Sequence, residues 1–183
     1  MHDDFHWWMV PAITISAGII APVYATQYLT VKQAQKVLFP EANVFSSQPV
    51  QFTPEQKEVI EDYSNVRLRT GQQPVWLVEA NGKHIGWFVV DEVYGKHEFI
   101  TYAVALDVEG RVAGIEILDY RETHGGEIRE PGWRAQFLGK KYGDILKLDE
   151  DIQNISGATY SCKHIIEGVR RILALYKIAI KGA

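Results

Sequence analysis

The chain has 183 residues, of which 46% are hydrophobic and 23% charged, and its formal net charge is -4. That length carries one domain with a real core and leaves no room for two independent catalytic domains. A mild negative charge offers no basic stripe for neutralising phosphates, so nucleic acid is not expected as a partner, and the single cysteine, Cys162, excludes an internal disulfide or a cysteine-cluster metal site.

Residues 7–25 carry no charge and end in Val23-Tyr24-Ala25, which approximates a small-x-small cleavage site. They read as an export signal. Because the leading residues 1–6 lack Lys or Arg, an uncleaved membrane anchor is the main alternative, since such a segment just crosses the hydrocarbon layer at about 1.5 Å per residue. A buried helix is the third reading. Either of the first two places the remainder outside the cytoplasm, periplasmic or anchored to the outer face of the cytoplasmic membrane.

Residues 26–73 read as a helical extension. Thr30 caps a short helix through Leu38, with Val31, Ala34, Val37 and Leu38 on one face. Thr53-Pro54-Glu55-Gln56 opens a second, to about Tyr63, with a Thr cap, Pro at the first helical position and Gln three residues after the cap. From Pro74 the period changes to that of strands. Residues 75–80 and 84–91 flank Asn81-Gly82, a type I′ hairpin signal, and residues 99–107 and 112–119 form a second pair. Four strands linked by hairpins predict an antiparallel sheet with one face covered.

A short helix is expected around Trp133 to Phe137. The last and longest, from about Cys162 to Ile180, supplies the cover: Ile165, Ile166, Val169, Ile172, Leu173, Tyr176 and Ile180 recur at spacings of three and four. The basic pairs Lys140-Lys141 and Arg170-Arg171 read as solvated surface. The fold class is therefore α+β: an antiparallel sheet packed against a long C-terminal helix, with short N-terminal helices and the principal domain at 74–183.

Directly before the long helix stands Ser156-Gly157-Ala158-Thr159-Tyr160-Ser161. Small hydroxyl residues, a glycine and the unpaired amides of a helix start make a cradle for a phosphate, with the hydroxyls of Ser156, Thr159 and Ser161 close to it. The same residues also read as an ordinary helix cap.

Ser156-Gly157-Ala158-Thr159, with a hydroxyl residue again at Ser161, resembles the flavin-attachment motif of the FMN-binding domain family found in the sodium-pumping quinone reductase and the related Rnf electron-transport complex. A second stretch agrees. It runs from Gly114 through Glu122-Thr123-His124-Gly125-Gly126 to Pro131-Gly132-Trp133 and Gln136-Phe137-Leu138-Gly139-Lys140, and is similar to the family's strand, Glu-Thr loop and Phe-x-Gly turn. The resemblance covers roughly residues 75–180. It implies FMN as cofactor, joined through a phosphoester to Thr159 by a Mg-dependent flavin transferase that uses FAD as donor. It also implies that the Glu-Thr loop lies against the flavin, where Glu122, Thr123 and His124 are the candidate ring contacts on a loop held by Gly125 and Gly126. Lys163 and Arg129 read either as positive charge near the phosphate or reduced ring or as solvated surface. Two positions depart from the family pattern. Gln153 stands where an Asp is usual, with Asp151 two residues earlier, and His124 stands where many relatives have Pro.

The implied function is a redox carrier that passes electrons between membrane or periplasmic proteins such as a cytochrome or reductase, rather than a stand-alone enzyme. No catalytic or metal residues are expected, and no dinucleotide fingerprint is present. The alternatives are a cofactor-free assembly module of a membrane redox complex and a periplasmic FMN-dependent reductase with its own substrate. A hydrolase built from Ser161 or Cys162 with His164 and Asp151 lacks the required turn.

Overall fold

The computed structural model describes residues 26–69 and 71–181; the expected signal or anchor at 1–25 lies outside them. Among the described residues, eight strands and four α-helices follow in chain order: β1 (Thr26–Gln27), α1 (Val31–Leu38), β2 (Val44–Ser47), β3 (Val50–Gln51), α2 (Pro54–Ser64), β4 (Gln72–Gln73), β5 (Val75–Ala80), β6 (Lys83–Tyr94), β7 (Phe99–Asp107), β8 (Val112–Tyr120), α3 (Pro131–Arg134) and α4 (Thr159–Leu175). The final helix continues through a π turn, Tyr176–Ile180.

Six strands form one antiparallel sheet in the order β1-β8-β7-β6-β5-β2, while β3 and β4 pair separately. The four expected strands are its centre. Asn81 and Gly82 both take positive φ, 52° and 73°, which is the type I′ geometry their identities predict. Residues 26–73, expected as a helical extension, supply both helices and also both edge strands of this sheet. Strands so short carry too little periodicity to be read locally, and they form because a neighbour offers them a ladder.

Both faces of the sheet are covered, where cover on one was expected. On one face, Ile100, Tyr102, Val104 and Leu106 of β7 meet Ile165, Val169, Ile172 and Leu173 of α4 in the main core. On the other, Ala103 and Ala105 of the same strand join Val78, Phe88 and Leu118 beneath Ala34 of α1. The uninterrupted burial of Tyr102–Leu106 records this double cover. The alanines let α1 lie close, and Gly114 does the same: a Cβ there would stand 2.6 Å from Leu38 Cδ2. Val37, expected on the buried face of α1, is exposed. Helix α2 packs on the outer side of α4, where Ile60, Leu68 and Ala174 form a third apolar cluster.

Both N-terminal helices begin as their sequences require. Thr30 Oγ1 and Gln33 cap α1 reciprocally, and in α2 the Gln56 amide donates to Thr53 Oγ1 at 3.2 Å while the Thr53 amide donates to Gln56 Oε1 at 3.1 Å. We expect Thr53→Ala to cost about 1 kcal/mol in urea unfolding, because two amides at the start of α2 lose their acceptor geometry together.

Arg171, expected as solvated surface, is 3% exposed and faces Asp91, 9% exposed, across the seam between α4 and β6. Its Nε donates to Asp91 Oδ2 at 3.0 Å, and its remaining donors reach the carbonyls of Glu92 and Arg67. The Tyr102 hydroxyl donates to the same Asp91 oxygen at 2.7 Å. Burial pushes the Tyr102 pKa well up, and the charge of Asp91 pushes it further. Arg170 also leaves bulk solvent, donating to the Tyr63 carbonyl. Lys140 likewise pairs with Asp151 at 2.7 Å.

Candidate functional site

Two loops meet at the end of the sheet where β8 stops. One, residues 121–125, leads from β8 into a 3-10 turn, Gly126–Arg129; the other, residues 153–158, leads into α4. Tyr120, the last residue of β8, ties them. Its hydroxyl donates to the His124 carbonyl and lies 3.1 Å from Ser161 Oγ in the first turn of α4. Burial raises the Tyr120 pKa, which keeps this group a neutral donor.

Gly125 makes the close approach possible. Its φ is 90°, and a Cβ there would stand 2.5 Å from Ala158 Cβ and 2.7 Å from Tyr120 Oη, so only glycine allows both the turn and the contact. Gly157 also takes a left-handed conformation, φ 82°, with open space around it. Ala158 is the N-cap of α4, and no side chain caps that helix. The cap reading of Ser156-Gly157-Ala158-Thr159 is therefore not the one realised, and the helix start keeps its capacity for an anionic ligand.

A cavity of about 280 Å³ opens between the loops. Glu122, Thr123 and His124 line it from the first loop, and Gly157, Ala158, Tyr160 and Ser161 from the second. An adjoining cavity of about 450 Å³ shares Thr123, His124 and Gly157 and extends to Ser156, Gly125 and Arg129. Together they have the size and mixed lining of a small-molecule site. The residues present thus suit a flavin mononucleotide: glycines for close backbone approach, hydroxyls and a helix start for the phosphate, and an open slot beside them for the ring.

Two expected residues stand apart from the lining. Thr159 lies between the lining residues Ala158 and Tyr160, is itself exposed, and its Oγ1 accepts from Asn154 Nδ2 at 3.2 Å. Lys163 lines neither cavity, and its Nζ lies 3.9 Å from Glu167 one turn on. Arg129 reaches the adjoining cavity with its guanidinium 3.9 Å from the Tyr28 ring centroid. Asp151 is committed elsewhere: it pairs with Lys140 and accepts the Lys147 amide at 2.7 Å. At Gln153 it is the backbone that is held, its carbonyl by Trp133 Nε1 at 2.8 Å and its amide by Gln136 Oε1 at 2.8 Å. Of the two aromatics nearby, Trp133 is buried and Tyr160 is 58% exposed. Cys162 is buried with its pKa raised by that burial, so it is not presented as a nucleophile.

Lys96 and His97, at the tip of the β6–β7 hairpin, line the main cavity from a third side, and no motif in the sequence pointed to them. Nor did the motif give Glu122 its structural task. Glu122 Oε1 accepts the amides of Lys96, His97 and Glu98, the last two at 2.6 and 3.1 Å. Burial alone would raise its pKa, but the amides of His97, Glu98 and Lys96 outweigh that and lower it. Gly95 is required for this approach, since a Cβ there would clash with Glu122 Oε1. The Gly95 that opens the turn was the one available signal.

The sequence model of the FMN-binding domain family matches residues 95–174, a span that includes the hairpin tip, both loops and nearly all of α4. Among curated proteins, the chain is 36% identical over 89 residues to a subunit of the Na+-translocating NADH-quinone reductase of Yersinia pestis, covering 46% of this chain and 33% of that protein. It is 28% identical over 117 residues to a subunit of the ion-translocating oxidoreductase complex of Aliivibrio fischeri, covering 57% of this chain and 55% of that one. The chain thus spans about a third to a half of the length of these relatives. Among solved structures, the crystal structure of Shewanella oneidensis NqrC superposes with a TM-score of 0.50 at 19% identity, covering 77% of this chain and 81% of the other, a likeness of fold. Over residues 95–174, which carry the site itself, the chain is similar to the FMN-binding domain family.

Proposed function

We propose that this chain is an electron-transfer flavoprotein that carries FMN in the paired cavities, joined through a phosphoester to Thr159, and relays electrons between membrane or periplasmic redox proteins. The observation that carries the reading is the Gly125–Ala158 approach, which brings the two motif-bearing loops into one walled site at an uncapped helix start. The relatives named as subunits of NADH-quinone reductase and ion-translocating oxidoreductase complexes support a place beside membrane redox partners. In this reading residues 1–25 are the export signal or anchor, residues 26–73 extend the domain, and residues 74–183 hold the cofactor.

When bound, FMN supplies one- or two-electron transfer. The chain's own residues do the rest. Ser156, Gly157 and the start of α4 receive the phosphate end, Thr123 and His124 border both cavities, and Tyr160 stands exposed beside the ring slot. The Thr159 hydroxyl is exposed and bonded only to an exposed Asn154 side chain among the described residues, so a modifying enzyme can reach it without opening the core. That enzyme would be a flavin transferase. It would meet Gln153 rather than Asp ahead of the acceptor.

The test is mass measurement of protein produced in an exporting host together with a flavin transferase. The expected result is a gain of one FMN less one water, yellow colour that survives denaturation, and loss of both in Thr159→Ala. Colour that leaves on denaturation, with no mass gain, would replace the covalent link by tight non-covalent binding. Colourless native protein would overturn the flavoprotein reading.

A further inference from the structure

The hairpin tip between β6 and β7 is held in an unusual way. Its residues project beyond the sheet, where no ladder partner remains for their amides. One carboxylate oxygen of Glu122, from the neighbouring loop, accepts three successive amides, those of Lys96, His97 and Glu98, an arrangement that binds an anion strongly. The turn is closed beneath it by the Gly95 amide, which donates to the Glu98 carbonyl at 2.7 Å. The hairpin tip thus becomes a wall of the main cavity, and the two residues it presents there are the cation Lys96 and the imidazole His97.

We infer that Glu122 is a positioning residue: its carboxylate clamps the hairpin tip so that Lys96, with His97 beside it, forms the positive wall of the cavity, facing the charge that the ring gains on reduction. This rests on the reading that the cavity holds FMN. A ring that accepts two electrons from a protein partner and one proton from water gains one net negative charge, and a fixed positive wall favours that form over the oxidised one. The other charges at the site do not replace it. His124 faces the cavity from the loop, and Glu122, which stays negative, has its Oε1 turned to the three amides of the hairpin tip. Arg129 lies at the adjoining cavity together with Glu127 and Glu130, and Lys163 is directed to Glu167. The clamp is specific to the carboxylate, since an amide side chain offers a weaker, uncharged acceptor to three donors.

The experiment has two arms on the full chain. In the flavin-free protein, amide exchange is followed at Lys96, His97 and Glu98; Glu122→Gln is expected to speed it at least tenfold, and Gly95→Ala, which crowds Glu122 Oε1, to do the same. In flavin-loaded protein, the midpoint potential is titrated for wild type, Lys96→Gln, Lys96→Arg and Glu122→Gln. Lys96→Gln is expected to weaken the preference for the reduced form about tenfold, which is about 30 mV for a two-electron couple. Glu122→Gln frees the hairpin tip but also removes a negative charge from the lining, so its shift should be smaller than that of Lys96→Gln, and Lys96→Arg should stay near wild type. Unchanged exchange in Glu122→Gln would overturn the clamp on its own. An unchanged potential in loaded Lys96→Gln would overturn the positive wall. Wild-type protein that takes up no flavin would instead overturn the reading of the site, and the wall with it, while leaving the exchange result to decide the clamp.

Discussion

Replacing Arg171 by methionine is expected to destabilise the chain by about 3–5 kcal/mol in urea unfolding, a large part of what holds a domain of this size together. The side chain keeps its hydrocarbon bulk in the seam between α4 and β6, so the loss is not chiefly one of packing. What is lost is the only cation that faces Asp91 among the described residues, together with donors to the carbonyls of Arg67 and Glu92. A carboxylate 9% exposed then keeps the Tyr102 hydroxyl as its side-chain donor but has no counter-charge, and the desolvation cost of an unpaired charge exceeds that of the pair. Asp91→Asn combined with Arg171→Met tests the explanation. It keeps an acceptor for Tyr102 but removes the stranded charge, so the double variant should be more stable than Arg171→Met alone. A double variant no more stable than the single would show that the stranded Asp91 charge is not what costs the stability.

Gly125→Ala should separate the two loops and abolish most flavin uptake. The left-handed conformation at this position costs a side chain about 1–3 kcal/mol, and the clash with Ala158 Cβ at 2.5 Å adds a comparable overpacking penalty. The loops can escape the clash only by moving apart, which pulls the His124 carbonyl from Tyr120 and widens the cavity. Gly139 offers a control. Its φ is 77° but nothing lies within 4 Å of the position its Cβ would take, so Gly139→Ala carries the backbone penalty alone and should leave flavin uptake near wild type. Adding Ala158→Gly to Gly125→Ala removes the nearest clashing atom and should restore part of the uptake. Equal uptake by Gly125→Ala and wild type would mean that the loop contact is not what builds the site.

The elements that the sequence announced are those whose information is local. Thr30, Gln33, Thr53, Pro54 and Gln56 carry their capping partners within one turn, and Asn81-Gly82 contains its own turn geometry. The stripe on α4 repeats at helical spacing, so its buried face was legible before any partner was known. β1 and β2 were not, because strands of two and four residues have no periodicity of their own. The exposed Val37 shows the same limit from the other side, since an apolar residue at helical spacing is buried only if something stands opposite it.

At the site, Ser156 to Ser161 and Glu122 to Gly126 were legible as chemistry and as a family pattern, and the structure sets both stretches around the same cavities. The sequence could not assign each residue its task. Glu122 reads as a polar residue on a loop; only the fold brings three hairpin amides onto its oxygen and makes it a clamp. Lys96 and His97 lie about 25 residues away along the chain and carry no motif. They enter the cavity because β6, β7 and β8 pair in sequence and so set the hairpin tip beside the loop that leaves β8. Arg171 likewise reads as surface, as charge in a sequence has no depth until a sheet and a helix close over it. Helix caps, turn geometry and amphipathic spacing are set by neighbours a few residues apart, so sequence alone decides them. Which charges meet, which are buried and which face the ligand depends on contacts between distant segments, and those exist only once the layers have packed.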